Sequence, residues 1–256
     1  LLPVPRPVSG HEGVQRIKTL MVPALFGVSV SQINLLLDTV IASMLVAGSV
    51  SWLYFSDRLM ELPLGIFGVA IAIVVLPILS RKHAEQSMSE FADTLDWALR
   101  LICLIAIPAT AALVLLAEPL LITLFQNDNF TVQDVTSAAG SLRAYALGLL
   151  AFMAIKIFAP GFYARQDTRT PVRIGIIAMT ANMVLNIIFF VAGFAHVGLA
   201  LATSLAAFLN AGLLWRGLHR ERVFQLQPGW GKFLLQILAA NLGMAVFLVY
   251  VAGDWE

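Results

Sequence analysis

Residues 54–77, YFSDRLMELPLGIFGVAIAIVVLP, set three ionisable side chains beside a long apolar run and break that run with glycine and proline. As a helix, this stretch places Asp57 and Glu61 four residues apart on one face, with Arg58 about 100° round from Asp57. One arc then carries a cation between two anions. No charge follows over 62–77. Charge at membrane depth is costly, so such groups usually line a wet cavity or a transport path; the alternative is a self-neutralised triplet that anchors a helix end at the water interface. On the pathway reading, residues 57–63 form a polar hinge on a spanning helix. Pro63 lacks an N–H and predicts a kink just after the charged turn.

A second constellation is spread along the chain: Asp38 within an apolar stretch, Asn182 and Asn186 four residues apart, and Thr203. A hard cation such as Na⁺ takes several oxygen ligands, and one carboxylate with amide and hydroxyl oxygens is a reasonable shell. The same residue types are also ordinary hydrogen-bonding glue between spanning helices. Arg143, near the outer end of its span, could join Arg58 in a cavity, whereas Lys156 reads as a cation snorkelling toward the inner face. Pro23, Pro108 and Pro160 read as kinks tolerated in spans.

The remaining candidates point away from catalysis. His11, His83, His196 and His219 have no partner at ligand spacing and read as solvated side chains in loops and a turn. Cys103, the single cysteine, reads as a small core hydrophobe. No phosphate-cradling G-x-x-x-x-G-K-[ST], H-E-x-x-H or G-x-S-x-G is present, and the acids form no D-D-x-x-D cluster of the kind a polyprenyl-lipid enzyme needs. The chain is not expected to be an enzyme, to need a cofactor beyond Na⁺, or to bind nucleic acid.

The elements that must position these residues follow from composition. The 256 residues are 59% hydrophobic and 12% charged, with a mean hydropathy of +0.87, which is the signature of an all-α polytopic membrane protein. Seven spans are predicted, at about 19–46, 52–80, 91–117, 135–163, 171–191, 199–214 and 233–251, forming a bundle over 19–252. Residues 1–18 read as a Pro-rich basic linker, 118–134 as the longest polar connection on the outer side, and 253–256 as a short tail. The loop cations (Arg6, Arg16 and Lys18; Arg81 and Lys82; Arg165, Arg169 and Arg173; Arg216, Arg220, Arg222 and Lys232) all fall on the side of the N-terminus. The positive-inside rule therefore places that end and the basic loops in the cytoplasm and the tail in the periplasm. Trp52 and Trp255 would mark the outer interface, and Trp97, Trp215 and Trp230 the inner one.

At YFSDRLMELPLGIFGVAIAIVVLPILSR and APGFYARQDTRTPVRIG, and again at QINLLLDTVIASML and QPGW, the sequence strongly resembles the MurJ (MviN) lipid II flippase family of bacterial cell-wall synthesis. That family sits within the superfamily of multidrug and oligosaccharidyl-lipid exporters. The resemblance implies a two-lobe, fourteen-helix alternating-access transporter of the inner membrane, of which this chain matches about helices seven to thirteen. An N-terminal lobe preceding residues 1–18 is then expected as a partner, and the chain alone would be an incomplete transporter. The implied substrate is lipid II, an undecaprenyl diphosphate carrying a disaccharide and a pentapeptide, met by Arg58 with Asp57 and Glu61. The thirteenth helix, with the fourteenth, would form the groove for the polyprenyl tail. Some members also carry a Na⁺ site whose order and spacing Asp38, Asn182, Asn186 and Thr203 match. The alternatives are a drug or polysaccharide exporter of the same superfamily, or a truncated, non-transporting membrane scaffold.

Overall fold

The computed structural model describes residues 32–252, together with Gln15 and Met21. The expected linker over 1–18, apart from Gln15, lies outside the described residues, as do most of the first half of the first span and the tail over 253–256.

Among the described residues the chain is a helical bundle with no strands. Helix α1 (Gln32–Ser43) ends in a tight turn closed by Gly48, whose φ of +99° suits glycine; a Cβ there would also lie 2.8 Å from the Trp52 ring. Helix α2 (Ser49–Pro63), a π-helical segment over Leu64–Val69 and helix α3 (Ala70–Ala84) then run as one continuous rod, with 36 residues over Ser49–Ala84. The expected kink at Pro63 takes the form of this π segment. Proline removes one donor from the ladder and crowds the carbonyl four residues back, and a widened turn accommodates both. The rod opens three residues before the predicted Trp52, because the Gly48 turn lets the helix begin at once.

Helix α4 (Met88–Leu115) is followed by α5 (Ala117–Phe125), then α6 (Val132–Tyr163), α7 (Arg169–Val191), α8 (Ala195–Arg220) and α9 (Trp230–Ala252). Helix α5 corrects the prediction of a polar connection over 118–134. Its sequence AEPLLITLF is apolar after the first turn, where Pro119 is tolerated because donors there have no intrahelical partner. The polar turn is confined to 126–131, where the Asn127 side chain accepts the N–H groups of Asn129 at 2.8 Å and Phe130 at 3.2 Å. Helix α6 starts at once from a cap in which Asp134 accepts the Thr131 N–H at 2.8 Å.

Helix α6 is the axis of the bundle: 67% of its most apolar stretch is buried, against 6% for α9 at the periphery. Its largest interface is with α8, and small residues let the two backbones close up. Ser204 donates to the Ala144 carbonyl at 2.7 Å, and a Cβ on Gly148 would lie 2.6 Å from Ser204 Oγ. Helix α2 packs beside α6 in the same direction, pinned where Ser56 Oγ donates to the Ala138 carbonyl at 2.7 Å.

At the other end of the bundle, α9 is clasped to α4. The buried Asp96 accepts from Arg100 Nε at 2.7 Å, the Gln227 N–H at 3.1 Å and Trp230 Nε1 at 2.6 Å, while the Arg100 guanidinium lies over the Trp230 ring. Cys103 is buried, as a core hydrophobe should be.

Two further expectations are corrected. Trp52 is buried rather than interfacial: its indole donates to Asp134 at 2.8 Å and meets the His196 ring edge-on at 4.7 Å. His196 is half-buried rather than solvated, whereas His219 is exposed as expected. His196 Nε2 is 3.0 Å from the Ser137 carbonyl, and His219 stacks on Trp215 and reaches the Phe224 carbonyl.

Candidate functional site

The charged triplet lies on α2, where Arg58 is nine residues past Ser49, about 14 Å along the rise of the helix. Arg58 and Glu61 form an ion pair with N···O of 2.7 Å, and their side chains are 53% and 48% exposed. The guanidinium also lies over the Tyr54 ring, 4.9 Å from its centroid, a cation–π contact that holds the head of a long side chain in place. Asp57 is half-buried and accepts no hydrogen bond among the described residues. Arg58 is thus held by Glu61 and Tyr54 with more than half its side chain free, a geometry suited to receiving an anion.

Arg143 does not join this group. Its guanidinium donates to Glu118 at 3.0 Å and to the Val114 carbonyl at 3.3 Å, which ties α6 to the junction of α4 and α5. None of its contacts is with Asp57, Arg58 or Glu61. Lys156 is exposed on the otherwise well-covered α6, beside the π segment.

The second constellation does come together. Asp38 on α1 meets Asn186 of α7, whose amide nitrogen donates to Oδ1 at 2.6 Å. Asn186 also donates to Asn182 Oδ1 at 3.1 Å, and Asn182 donates to Thr203 of α8 at 3.2 Å. Asn182 and Asn186 are buried. Sequence reasoning missed Asn34, which donates to Asp38 Oδ2 at 3.1 Å, although its i,i+4 spacing from Asp38 repeats that of Asn182 and Asn186 and was available as a signal. It also missed Tyr145 of α6, buried within electrostatic reach of both Asp38 and Asp57.

These residues fit an alkali cation. Asn186 Oδ1 is buried without a hydrogen-bond partner, a costly arrangement that a cation would relieve. The Asn182 amide can also turn, so that its oxygen accepts from Thr203 Oγ1 at 3.2 Å and its nitrogen donates to Asn34 Oδ1 at 3.0 Å. The Asn34 and Asn186 amide nitrogens donate to the Asp38 carboxylate in the arrangement seen here. Turning Asn186 as well would bring its oxygen to the carboxylate, and two oxygens at so short a separation require a cation or a proton between them. No cluster of three or more His, Cys, Asp or Glu suited to a transition metal exists among the described residues, and the donor set is instead the oxygen type that suits Na⁺.

The whole chain, residues 1–256, matches the family model described as "Lipid II flippase MurJ". The chain belongs to the MurJ family. It is 54% identical over 93% of its length to the probable lipid II flippase MurJ of Vibrio cholerae, of which it covers 45%. A solved structure of the lipid II flippase MurJ in an inward closed conformation superposes with a TM-score of 0.78 at 28% identity, covering 94% of this chain and 50% of that one. An outward-facing multidrug resistance MATE family transporter of the MOP superfamily shares the fold, with a TM-score of 0.73 at 16% identity over 91% of this chain and 52% of that one. The chain spans about half the length of the curated MurJ relatives it matches. MurJ membership and the six long apolar helices among the described residues make this a multi-pass protein of the bacterial inner membrane.

Proposed function

We propose that a full-length protein carrying this chain moves lipid II from the inner to the outer leaflet by alternating access, with this chain as most of one lobe. The observation that carries the reading is Arg58, half-exposed within a long apolar rod and held by Glu61 and Tyr54 rather than buried in a closed salt bridge. A cation at that depth persists where a wet cavity or an anionic ligand meets it, and the lipid-linked diphosphate is such a ligand. Glu61 orients the guanidinium, and Asp57, with no hydrogen bond of its own, is free to exchange for Glu61 as the ligand arrives or leaves. Arg143 is engaged by Glu118 and contributes to the shape of the outer end. In this reading the other half of the relatives' length supplies the opposing lobe, and α9 contributes part of a groove for the polyprenyl tail. The N-terminal end and the basic loops face the cytoplasm.

Asp38, Asn182, Asn186 and Thr203, with Asn34 behind Asp38, are the residues that would hold Na⁺. Bound there, the ion would supply the positive charge that lets the carboxylate and the amide oxygens share one pocket. Because Asp38 lies on α1, Asn186 on α7 and Thr203 on α8, the pocket draws three helices together at one point.

The test is rescue of cells depleted of their own flippase by a full-length protein carrying Arg58→Ala. Loss of rescue at normal membrane abundance is expected, and full rescue would remove Arg58 from the head-group site.

A further inference from the structure

Lys156 is a charge inside a spanning helix that the lipid II reading leaves without a partner. Seven residues separate it from Tyr163 at the end of α6, about 10 Å of helix, and it makes no ion pair or hydrogen bond among the described residues. Its Cγ would lie 3.8 Å from a Cβ on Gly68, so the stem of the lysine rests against the π segment. On α6, residues 145, 149, 152 and 156 share one stripe, which puts Lys156 on the same side as Tyr145, a buried side chain within electrostatic reach of Asp38 and Asp57. The lysine therefore emerges inward of the Arg58 region, along the flank where the two candidate sites lie.

Its depth selects the ligand. Ten residues separate Arg58 from Gly68 on the rod, at most about 15 Å of rise, so a ligand that meets both cations without drawing their long side chains together is longer than one diphosphate. A pentapeptide has the reach, since five extended residues span at most about 17 Å. Peptides end in carboxylates, which a lysine takes as a strong charge-assisted hydrogen bond.

We propose that Lys156 is a second substrate-binding cation, which takes a carboxylate of the peptide portion of the lipid-linked precursor while Arg58 holds the diphosphate. The proposal rests on the lipid II reading. The π segment contributes by keeping its glycine against the lysine stem, which leaves the ammonium free to reach the ligand.

The test is a binding measurement on a full-length protein carrying this sequence, in detergent, with two short-chain diphosphate-linked disaccharides, one bearing the pentapeptide and one without it. Lys156→Met, which keeps the length of the side chain and removes its charge, should weaken the peptide-bearing ligand by about tenfold, the loss expected for one charge-assisted hydrogen bond. It should leave the peptide-free ligand unchanged, and Lys156→Arg should recover most of the difference. Arg58→Ala should weaken both ligands. Equal weakening of both by Lys156→Met, or of neither, overturns the proposal while leaving the lipid II reading intact. If the unaltered protein binds neither ligand, or Arg58→Ala has no effect on either, the lipid II reading fails and the role of Lys156 falls with it. Melting temperatures of the Met and Arg variants that match the parent exclude misfolding as the cause.

Discussion

Replacing Asn186 by aspartate probes the proposed cation pocket most sharply. In the structure the Asn186 amide nitrogen donates to Asp38 Oδ1 at 2.6 Å while its own oxygen has no partner. Asn186→Asp is nearly isosteric, so packing at this fully buried position is preserved, but a second carboxylate replaces the donor. The variant loses a charge-assisted hydrogen bond, about 1.5–3 kcal/mol. It also gains a like-charge contact whose centres lie roughly 4 Å apart, about 4 kcal/mol at an effective dielectric near 20. Both terms have the same sign, and a cation between the two carboxylates offsets both. The assay is unfolding of the full-length protein in detergent, in sodium chloride and in choline chloride at equal ionic strength and alkaline pH, where a shared proton is least available. In choline, Asn186→Asp should be much less stable than the parent. In sodium the gap should narrow, because an ion at a hundred times its Kd adds about 2.7 kcal/mol to whichever form binds it, and the doubly acidic pocket binds it more tightly. Asp38→Ala should abolish the sodium dependence of the parent. An Asn186→Asp variant whose stability shifts equally in both salts refutes the reasoning, since the pocket would then be interhelical hydrogen bonding and nothing more.

Two further outcomes test the scaffold. Asp96→Asn keeps the shape of the clasp but turns an amide N–H₂ toward Arg100 or Trp230, and the loss of even one charge-assisted bond, about 1.5–3 kcal/mol, should raise hydrogen exchange in the first turns of α9 by about tenfold or more; unchanged exchange there would show that the clasp does not hold the helix. Gly148→Leu drives a side chain into Ser204 and Phe152, both already within 3 Å of a mere Cβ, and overpacking of this kind costs about 1–3 kcal/mol, so thermal stability in detergent should drop, whereas an unchanged melting temperature would mean that α6 and α8 separate easily.

The long helices were legible because the apolar runs are continuous and their ends carry polar or basic residues. What escaped was set by partners distant in sequence. Nothing near Trp52 indicates that an acid 82 residues away satisfies its indole, so an interfacial tryptophan was the sound reading from spacing alone. Arg143 was assigned toward Arg58 because both lie near outer helix ends; Glu118 captures it from α5, a helix hidden by the polar signals of Glu118 and Pro119 in its first turn. The cluster of Asp38, Asn182, Asn186 and Thr203 was readable in outline, since i,i+4 spacing fixes Asn182 and Asn186 on one face. Asn34 obeys the same rule on α1 and was overlooked. Tyr145 had no such signal, because its relation to Asp38 and Asp57 exists only once α1, α2 and α6 are packed.

That packing bears on how the two sites communicate. Asp38 belongs to the proposed cation pocket and Asp57 to the Arg58 turn, yet both lie within electrostatic reach of the buried Tyr145 on the central helix. Helix α6 is fixed to α2 by Ser56 and to α8 by Ser204, so it stands between them. Two carboxylates near one buried side chain repel each other through a low-dielectric medium, and the repulsion depends on whether each is neutralised by its own partner. A positive charge gained at Asp38 therefore lowers the cost of leaving Asp57 unpaired, and an anion that draws Arg58 away from its acids raises the cost of an uncompensated Asp38. Linkage makes the effect reciprocal. If Asp38 holds a cation and Arg58 an anion, as proposed, the two sites would be coupled by charge across one tyrosine, with no need for a large rearrangement between them.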